Sequence, residues 1–134
     1  MGVNFMRDIN LMIADDQPLS LVGLRSAVAD QGDIRIVAEC QNPQRLAQAV
    51  RFHPDVLLVN SDLFHDEMGA LKQLVSQSKK TRVIVLTSHK DRKFLDSAFE
   101  CGAKGVIHTD CPVNEIPAAI RKVTRGGVWL EEAA

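Results

Sequence analysis

Short apolar runs alternate with amphipathic segments along the chain, and this alternation predicts an α/β domain. Runs of consecutive apolar residues between polar or turn-forming residues are typical of strands covered on both faces. Five segments have this pattern, at residues 9–14, 34–40, 56–59, 83–86 and 105–108. The run at residues 56–59 lies between Pro54 and a polar cluster, so it is the candidate for a central strand.

The segments between these runs carry apolar residues at helical spacing. The first stripe follows Pro18, which suits the first turn of a helix, and consists of Leu21, Leu24, Ala27 and Val28. Asn42 and Asn114 stand at N-cap positions of later helices, and Gly102 stands where a left-handed C-cap is expected. Five strands alternating with five helices predict a flavodoxin-like, doubly wound parallel sheet with strand order 2-1-3-4-5.

Polar side chains stand where the predicted strands end. Asp15 and Asp16 follow the first strand, Asn60 the third, Thr87 the fourth and Thr109 the fifth. Because the carboxyl ends of parallel strands meet at one edge of a sheet, we expect these five residues to lie close together. Two carboxylates beside a carbonyl oxygen form a donor set that suits Mg²⁺.

These residues carry a resemblance to response-regulator receiver domains, of the kind joined to a LuxR-type helix-turn-helix in bacterial transcription factors. The matching segments are Ile13-Ala14-Asp15-Asp16-Gln17-Pro18, Gly23-Leu24-Arg25, Pro54-Asp55-Val56-Leu57-Leu58-Val59, Val83-Ile84-Val85-Leu86-Thr87 and Gly102-Ala103-Lys104-Gly105 with Asp110. In the family an acidic pair binds Mg²⁺, an aspartate closing strand 3 accepts a phosphoryl group, a hydroxyl residue ends strand 4 and a lysine ends strand 5. The resemblance assigns the acidic-pair role to Asp15 and Asp16, and the hydroxyl role to Thr87.

The chain departs from the family pattern at the positions that carry the chemistry. Asn60 stands at the phosphoacceptor position, and an amide forms no acyl phosphate. Thr109 stands at the lysine position, and Val106 where many members have an aromatic switch residue. A lysine beside an amide would be a poorly paired, partly buried cation. Losing both the aspartate and the lysine of the family therefore costs less stability than losing the aspartate alone. We interpret the chain as a pseudo-receiver that is no enzyme, requires no cofactor and binds Mg²⁺ only weakly, at Asp15 and Asp16.

Three alternatives stay open at this stage. Asp62, or another acidic residue, is the acceptor of a working phosphorelay receiver if the third strand extends well beyond Val59. Asp15 and Asp16 are helix-entry caps if no metal binds between them. The chain is a stand-alone interaction module if no regulator domain follows it.

Composition narrows the range of partners. A length of 134 residues with 46% hydrophobic residues suits one compact domain, and a net charge of −1 offers no broad basic surface to nucleic acid. The three cysteines share no metal or disulfide spacing, and no run is long enough to span a bilayer, so we expect a cytoplasmic protein without a membrane partner. We place the receiver-like domain at residues 1–125 and the start of a linker at residues 126–134. A C-terminal helix-turn-helix domain absent from this chain would then supply the contact with DNA.

The outward face of the first helix predicts an interface. Its outward residues are unusually apolar for a helix that covers one side of a sheet, and they are Leu19, Val22, Ser26 and Ala29. We expect this face to form a homodimer or to bind a protein partner. The alternative is that the neighbouring last helix covers part of it.

Overall fold

Six parallel strands form one sheet in the part of the chain that the computed structural model describes, residues 8–65 and 67–130. They are β1 (Ile9–Ala14), β2 (Ile34–Cys40), β3 (Val56–Asn60), β4 (Arg82–Thr87), β5 (Gly105–His108) and β6 (Trp129–Leu130). Their order is 2-1-3-4-5-6, which confirms the order predicted for the first five strands. Residues 1–7 of the predicted domain and residues 131–134 of the predicted linker lie outside the described residues.

Five α-helices cover the two faces of the sheet within the described ranges. They are α1 (Pro18–Val28), α2 (Pro43–Ala49), α3 (Met68–Gln77), α4 (Arg92–Glu100) and α5 (Glu115–Thr124). The buried residues of α1 and α5 belong to one apolar core, and those of α2, α3 and α4 belong to another. The flavodoxin-like architecture predicted from the sequence is therefore confirmed. None of the helices in residues 8–65 and 67–130 is long and apolar enough to cross a membrane.

Strand β3 is apolar on both faces because a helical layer covers each side of it. Val56 and Leu58 belong to the core beneath α1 and α5, whereas Leu57 and Val59 belong to the core on the other face. Since strand residues alternate between faces, a strand covered on both sides needs an unbroken apolar run. The run stops at Asn60, the last residue of β3, which lies at the carboxyl edge of the sheet.

The sequence does not predict β6, because Gly126 and Gly127 indicate a linker. Gly126 takes a left-handed φ of 91°, which turns the chain back toward the sheet. The backbone N–H of Trp129 then donates to the carbonyl oxygen of Lys104 at 2.9 Å, and Lys122 Nζ lies 5.8 Å from the centroid of the Trp129 ring. The described end of the chain thus continues the sheet, while the domain boundary at residue 125 stays a prediction.

Two local features add detail to the pattern read from the sequence. The polar cluster after β3 continues into buried apolar residues, because Ser61–Phe64 forms a 3₁₀-helix in which Leu63 and Phe64 are buried. Asn114 is the N-cap residue of α5, as predicted, although it has helical backbone angles and its side chain makes no capping hydrogen bond within the described residues. The cap at Asn42 is confirmed, because its Oδ1 accepts a backbone hydrogen bond from two residues further on at 2.8 Å.

Candidate functional site

Asn60 lies at the centre of a buried polar network at the carboxyl edge of the sheet. Its side chain is 4% exposed, its Nδ2 donates to Asp15 Oδ2 at 3.1 Å, and its Oδ1 accepts from the backbone N–H of Asp62 at 3.0 Å. A carboxylate only accepts hydrogen bonds and a backbone N–H only donates them, so these two contacts fix the orientation of the amide. Asn60 therefore presents a donor, not an oxygen, to Asp15.

The predicted acidic pair is split between the interior and the surface. Asp15 is fully buried after β1, whereas Asp16 is exposed. Besides Asn60, Asp15 accepts hydrogen bonds from the backbone N–H of Gln17 at 2.9 Å and from Ser20 Oγ at 2.5 Å. These contacts hold the turn that leads into α1, whose N-cap residue is Gln17.

Thr87 closes β4 as predicted, and its hydroxyl has a partner that the sequence analysis missed. The Thr87 hydroxyl is fully buried, and its oxygen accepts from Ser61 Oγ at 3.0 Å and from the backbone N–H of His89 at 3.1 Å. The pairing of Asn60 with Leu86 in the β3–β4 register places Ser61 beside Thr87. Ser61 directly follows Asn60 and Thr87 directly follows Leu86. The register of β3 and β4 would therefore have identified Ser61 as the partner of Thr87.

Thr109, which the resemblance assigns to the family's lysine position, is exposed just beyond β5. The backbone N–H of Thr109 donates to the carbonyl oxygen of Thr87 at 2.9 Å, which joins the ends of β4 and β5. At the same edge Lys90 Nζ donates to the exposed carboxylate of Asp110, and this hydrogen bond holds the pKa of Asp110 below its usual value. The positive charge of Lys90 thus lies against Asp110. Lys104 is exposed in the turn before β5.

The fold and the polar strand ends together define a class of protein. A doubly wound parallel sheet whose first five strands have the order 2-1-3-4-5, with polar side chains at the carboxyl ends of β1, β3 and β4, is a flavodoxin-like domain with a candidate site at that edge. The family model described as the response regulator receiver domain matches residues 11–121. The chain therefore belongs to the response regulator receiver domain family, whose members are signalling modules.

Relatives and solved structures agree with this assignment. The oxygen regulatory protein NreC of Staphylococcus carnosus (strain TM300) is 28% identical over 126 residues, which are 92% of this chain and 58% of that protein. The chain thus spans little more than half the length of this curated relative.

Two solved structures share the fold. The apo receiver domain of RcsB from Salmonella enterica serovar Typhimurium superposes with a TM-score of 0.86 at 21% identity, covering 93% of this chain and 94% of that one. A two-component response regulator of the LuxR family from Aurantimonas sp. SI85-9A1 has a TM-score of 0.82 at 22% identity, covering 91% and 89%. At these identities the likeness concerns the fold alone.

Receiver domains generally bind Mg²⁺ at the site of phosphorylation, but the donors of this chain do not fit a tight magnesium site. The buried carboxylate of Asp15 already accepts three hydrogen bonds, and Asn60 turns its Nδ2 toward it. Mg²⁺ requires oxygen ligands in near-octahedral geometry and gives up its water reluctantly. Within residues 8–65 and 67–130, no group of three or more His, Cys, Asp or Glu side chains has the geometry to hold a metal ion.

We expect Mg²⁺ to bind this domain with a dissociation constant of about 1 mM or weaker, because binding has to break the hydrogen bonds of Asp15. Isothermal titration calorimetry measures this affinity, and Asp15→Asn should abolish any saturable heat that remains. Micromolar affinity would contradict the prediction. It would imply that Asp62 or Asp66 joins the coordination shell, and Asp66 lies outside the described residues.

Proposed function

We propose that this receiver domain is a pseudo-receiver, which transmits its signal through protein contacts without aspartyl phosphorylation. The observation that carries the proposal is the carboxamide of Asn60 at the end of β3, where the family has its nucleophile. Acyl phosphate formation needs a carboxylate oxygen as nucleophile, and a carboxamide does not supply one. The test is incubation with acetyl phosphate and Mg²⁺, after which we expect no hydroxylamine-labile phosphoryl adduct.

The contacts around Asn60 support a site that is complete without a phosphoryl group. Both ends of its amide are hydrogen-bonded, and Thr87 and Ser61 are hydrogen-bonded to each other. A phosphorylated receiver also needs a cation for the phosphoryl oxygens, and Thr109 carries no charge. The simultaneous loss of carboxylate and lysine leaves no buried charge without its counterpart at this pair of positions.

The parent protein in this proposal is a LuxR-type transcriptional regulator. The chain covers 58% of NreC, and the LuxR-family regulator from Aurantimonas shares its fold, so we propose that a DNA-binding region follows the receiver domain in the parent protein, beyond β6. RcsB, which shares the fold of this chain, has been solved as dimers bound to DNA. DNA contact is assigned to that following region, and the present chain is assigned a regulatory, non-enzymatic role in the cytoplasm.

A working phosphorelay receiver that uses Asp62 is the second candidate. Asp62 is exposed, and its Oδ2 accepts from Gln17 Nε2 at 3.2 Å above the buried network. Its backbone N–H donates to Asn60, which holds it in the first turn of the 3₁₀-helix Ser61–Phe64 and outside β3. A phosphoryl adduct that forms on the wild type and is lost in Asp62→Asn would favour this candidate over the pseudo-receiver.

The outward face of α1 is the proposed site of self-association. Leu19 is 85% exposed and Val22 is 53% exposed, and Ser26 and Ala29 are also exposed. Helix α5 packs beside α1 within one core but leaves this face open. Exposed apolar residues on one side of a helix favour contact with another protein surface, and a second copy of the chain is the partner proposed here.

We expect Val22→Glu to weaken the dimer by about 100-fold or more, because it places a charge in an apolar contact. Sedimentation velocity over a concentration series measures the dimer dissociation constant. Phe52→Glu is the control, since Phe52 is 81% exposed in the turn after α2, on the face of the sheet opposite to α1, and should leave the constant unchanged. A wild type that stays monomeric at high concentration, or a dimer indifferent to Val22→Glu, would move the interface to the face of α4, β5 and α5.

A further inference from the structure

A cleft lies between α2 and α3, and its lining residues do not include Asp15, Asn60 or Thr87. Its volume is about 320 Å³, within the range of pockets that hold small molecules. The lining residues come from α2, from the 3₁₀-helix Ser61–Phe64 with the turn after it, and from one side of α3. They are Pro43, Leu46, Leu63, Phe64, His65, Glu67, Ala70, Gln73, Leu74 and Gln77.

The walls of the cleft are apolar and its rim is polar. Leu46, Leu63, Phe64 and Leu74 are each less than 10% exposed, so the cleft is a recess in the core layer and not a flat surface patch. Gln73 and Gln77 lie one turn apart on α3 and supply amide groups that both donate and accept hydrogen bonds. Apolar walls with a few polar groups at the rim are typical of sites for small organic ligands.

The charges at the rim select against anions. Glu67 is the carboxylate among the described lining residues, which include neither lysine nor arginine. His65 borders both this cleft and an open cavity of about 640 Å³ above the strand ends, where Asp16 and Asp62 add further negative charge. A negatively charged ligand would meet like charge without a compensating cation.

The cleft is joined to Asn60 through a short, rigid segment. Leu63 and Phe64 belong to the 3₁₀-helix whose first N–H groups include that of Asp62, which donates to Asn60 Oδ1. The backbone N–H of Glu67 donates to the carbonyl oxygen of Phe64 at 2.9 Å and fixes the entry into α3. A molecule that packs against Leu63 and Phe64 therefore acts on the residues that hold the Asn60 amide.

We infer that this cleft binds a small, mainly apolar molecule without negative charge, and that its binding changes the environment of Asn60. The inference extends the proposed function, because it names the chemistry of an input that replaces the phosphoryl group. The two claims fail in different measurements, since phosphorylation is followed by mass and occupancy of the cleft by fluorescence and NMR.

The probe is N-phenyl-1-naphthylamine, an uncharged aromatic amine whose fluorescence rises in apolar sites. We expect saturable binding of one probe per chain. 8-Anilinonaphthalene-1-sulfonate has the same ring skeleton with an added sulfonate, and we expect it to bind about tenfold more weakly. Glu67→Gln should reduce this difference. Equal affinity for the two probes, or no saturable binding of the neutral one, would overturn the inference.

Substitutions that fill the cleft locate the binding. Ala70→Phe and Gln73→Phe should each weaken probe binding by about tenfold or more, because their rings occupy the recess. Ser76→Phe is the control on the same helix, since Ser76 is exposed and does not line the cleft. Gln73 is itself exposed, so its variant keeps the test valid if Ala70→Phe unfolds, which circular dichroism would reveal. Loss of binding in Ser76→Phe, or none in Gln73→Phe, would place the probe elsewhere and overturn the inference.

The effect of probe binding in the cleft on Asn60 is measured in a separate experiment. In ¹H–¹⁵N spectra the probe should shift the side-chain amide signals of Asn60 and the backbone signal of Asp62. In Gln73→Phe the same addition should leave both unchanged. Probe binding that leaves the Asn60 signals of the wild type unmoved would overturn the link between the cleft and the strand ends.

Discussion

Asn60→Asp and Thr109→Lys, introduced together, are expected to turn the domain into one that accepts a phosphoryl group from acetyl phosphate in the presence of Mg²⁺. The first change supplies a carboxylate oxygen that attacks phosphorus while the bond to the leaving acetate breaks. The second supplies a positive charge for the phosphoryl oxygens beside the end of β5. Time-resolved intact-protein mass spectrometry follows the reaction.

The two changes should contribute unequally. Asn60→Asp alone should react slowly, and adding Thr109→Lys should raise the rate by about 100-fold, the usual size of one well-placed charge or donor in the transition state. Asp62→Asn in the double variant is the control and should leave the rate unchanged, because Asp62 lies outside β3. A double variant that stays unmodified would mean that the geometry of the strand ends, and not these two side chains, prevents phosphorylation.

Asn60→Asp alone should lower the free energy of unfolding by about 2 kcal/mol at neutral pH without Mg²⁺. In the wild type, Asn60 Nδ2 donates to the fully buried Asp15 carboxylate at 3.1 Å. The variant replaces this donor with a second carboxylate, so an attraction in a buried site becomes a repulsion between like charges. Urea unfolding measures the loss.

Magnesium separates this repulsion from a general loss of packing. Added MgCl₂ should restore most of the stability of Asn60→Asp, because a cation that binds only the folded state stabilises it. The wild type should respond little. Asn114→Asp makes the same chemical change at the exposed N-cap of α5, where the helix dipole favours a carboxylate, and should not lower stability. Equal stability of wild type and Asn60→Asp without Mg²⁺ would contradict the account of the Asp15–Asn60 contact.

The sequence predicts most of the fold because burial on two faces leaves a strong pattern. The unbroken apolar run before Asn60 identifies the central strand and its end, and the stripe Leu21, Leu24, Ala27 and Val28 identifies the buried side of α1. Strand β6 is not predicted because two residues after a pair of glycines are too few to show a strand pattern. They form a strand only because they pair with β5. Residues 61–64 are not predicted because two polar residues followed by two apolar ones are too short a pattern to indicate a 3₁₀-helix.

The site is predicted less completely than the fold. Sequence order brings Asp15, Asn60 and Thr87 to one edge, and the structure places all three there. The division of Asp15 and Asp16 between interior and surface depends on the direction of the turn after β1, which residue identity does not determine. The hydrogen bond between Ser61 and Thr87 depends on strand register, and the cleft between α2 and α3 depends on how two helices pack, so neither leaves a local signal.

The central claim is that the wild-type domain accepts no phosphoryl group, and intact-protein mass spectrometry tests it most directly. The wild type and the Asn60→Asp/Thr109→Lys variant are incubated side by side with acetyl phosphate and MgCl₂, and adducts are challenged with hydroxylamine. The account predicts an unmodified wild type beside a variant that carries one labile phosphoryl group. A hydroxylamine-labile phosphoryl group on the wild type, mapped to Asp62 or to any other acidic residue, would contradict it.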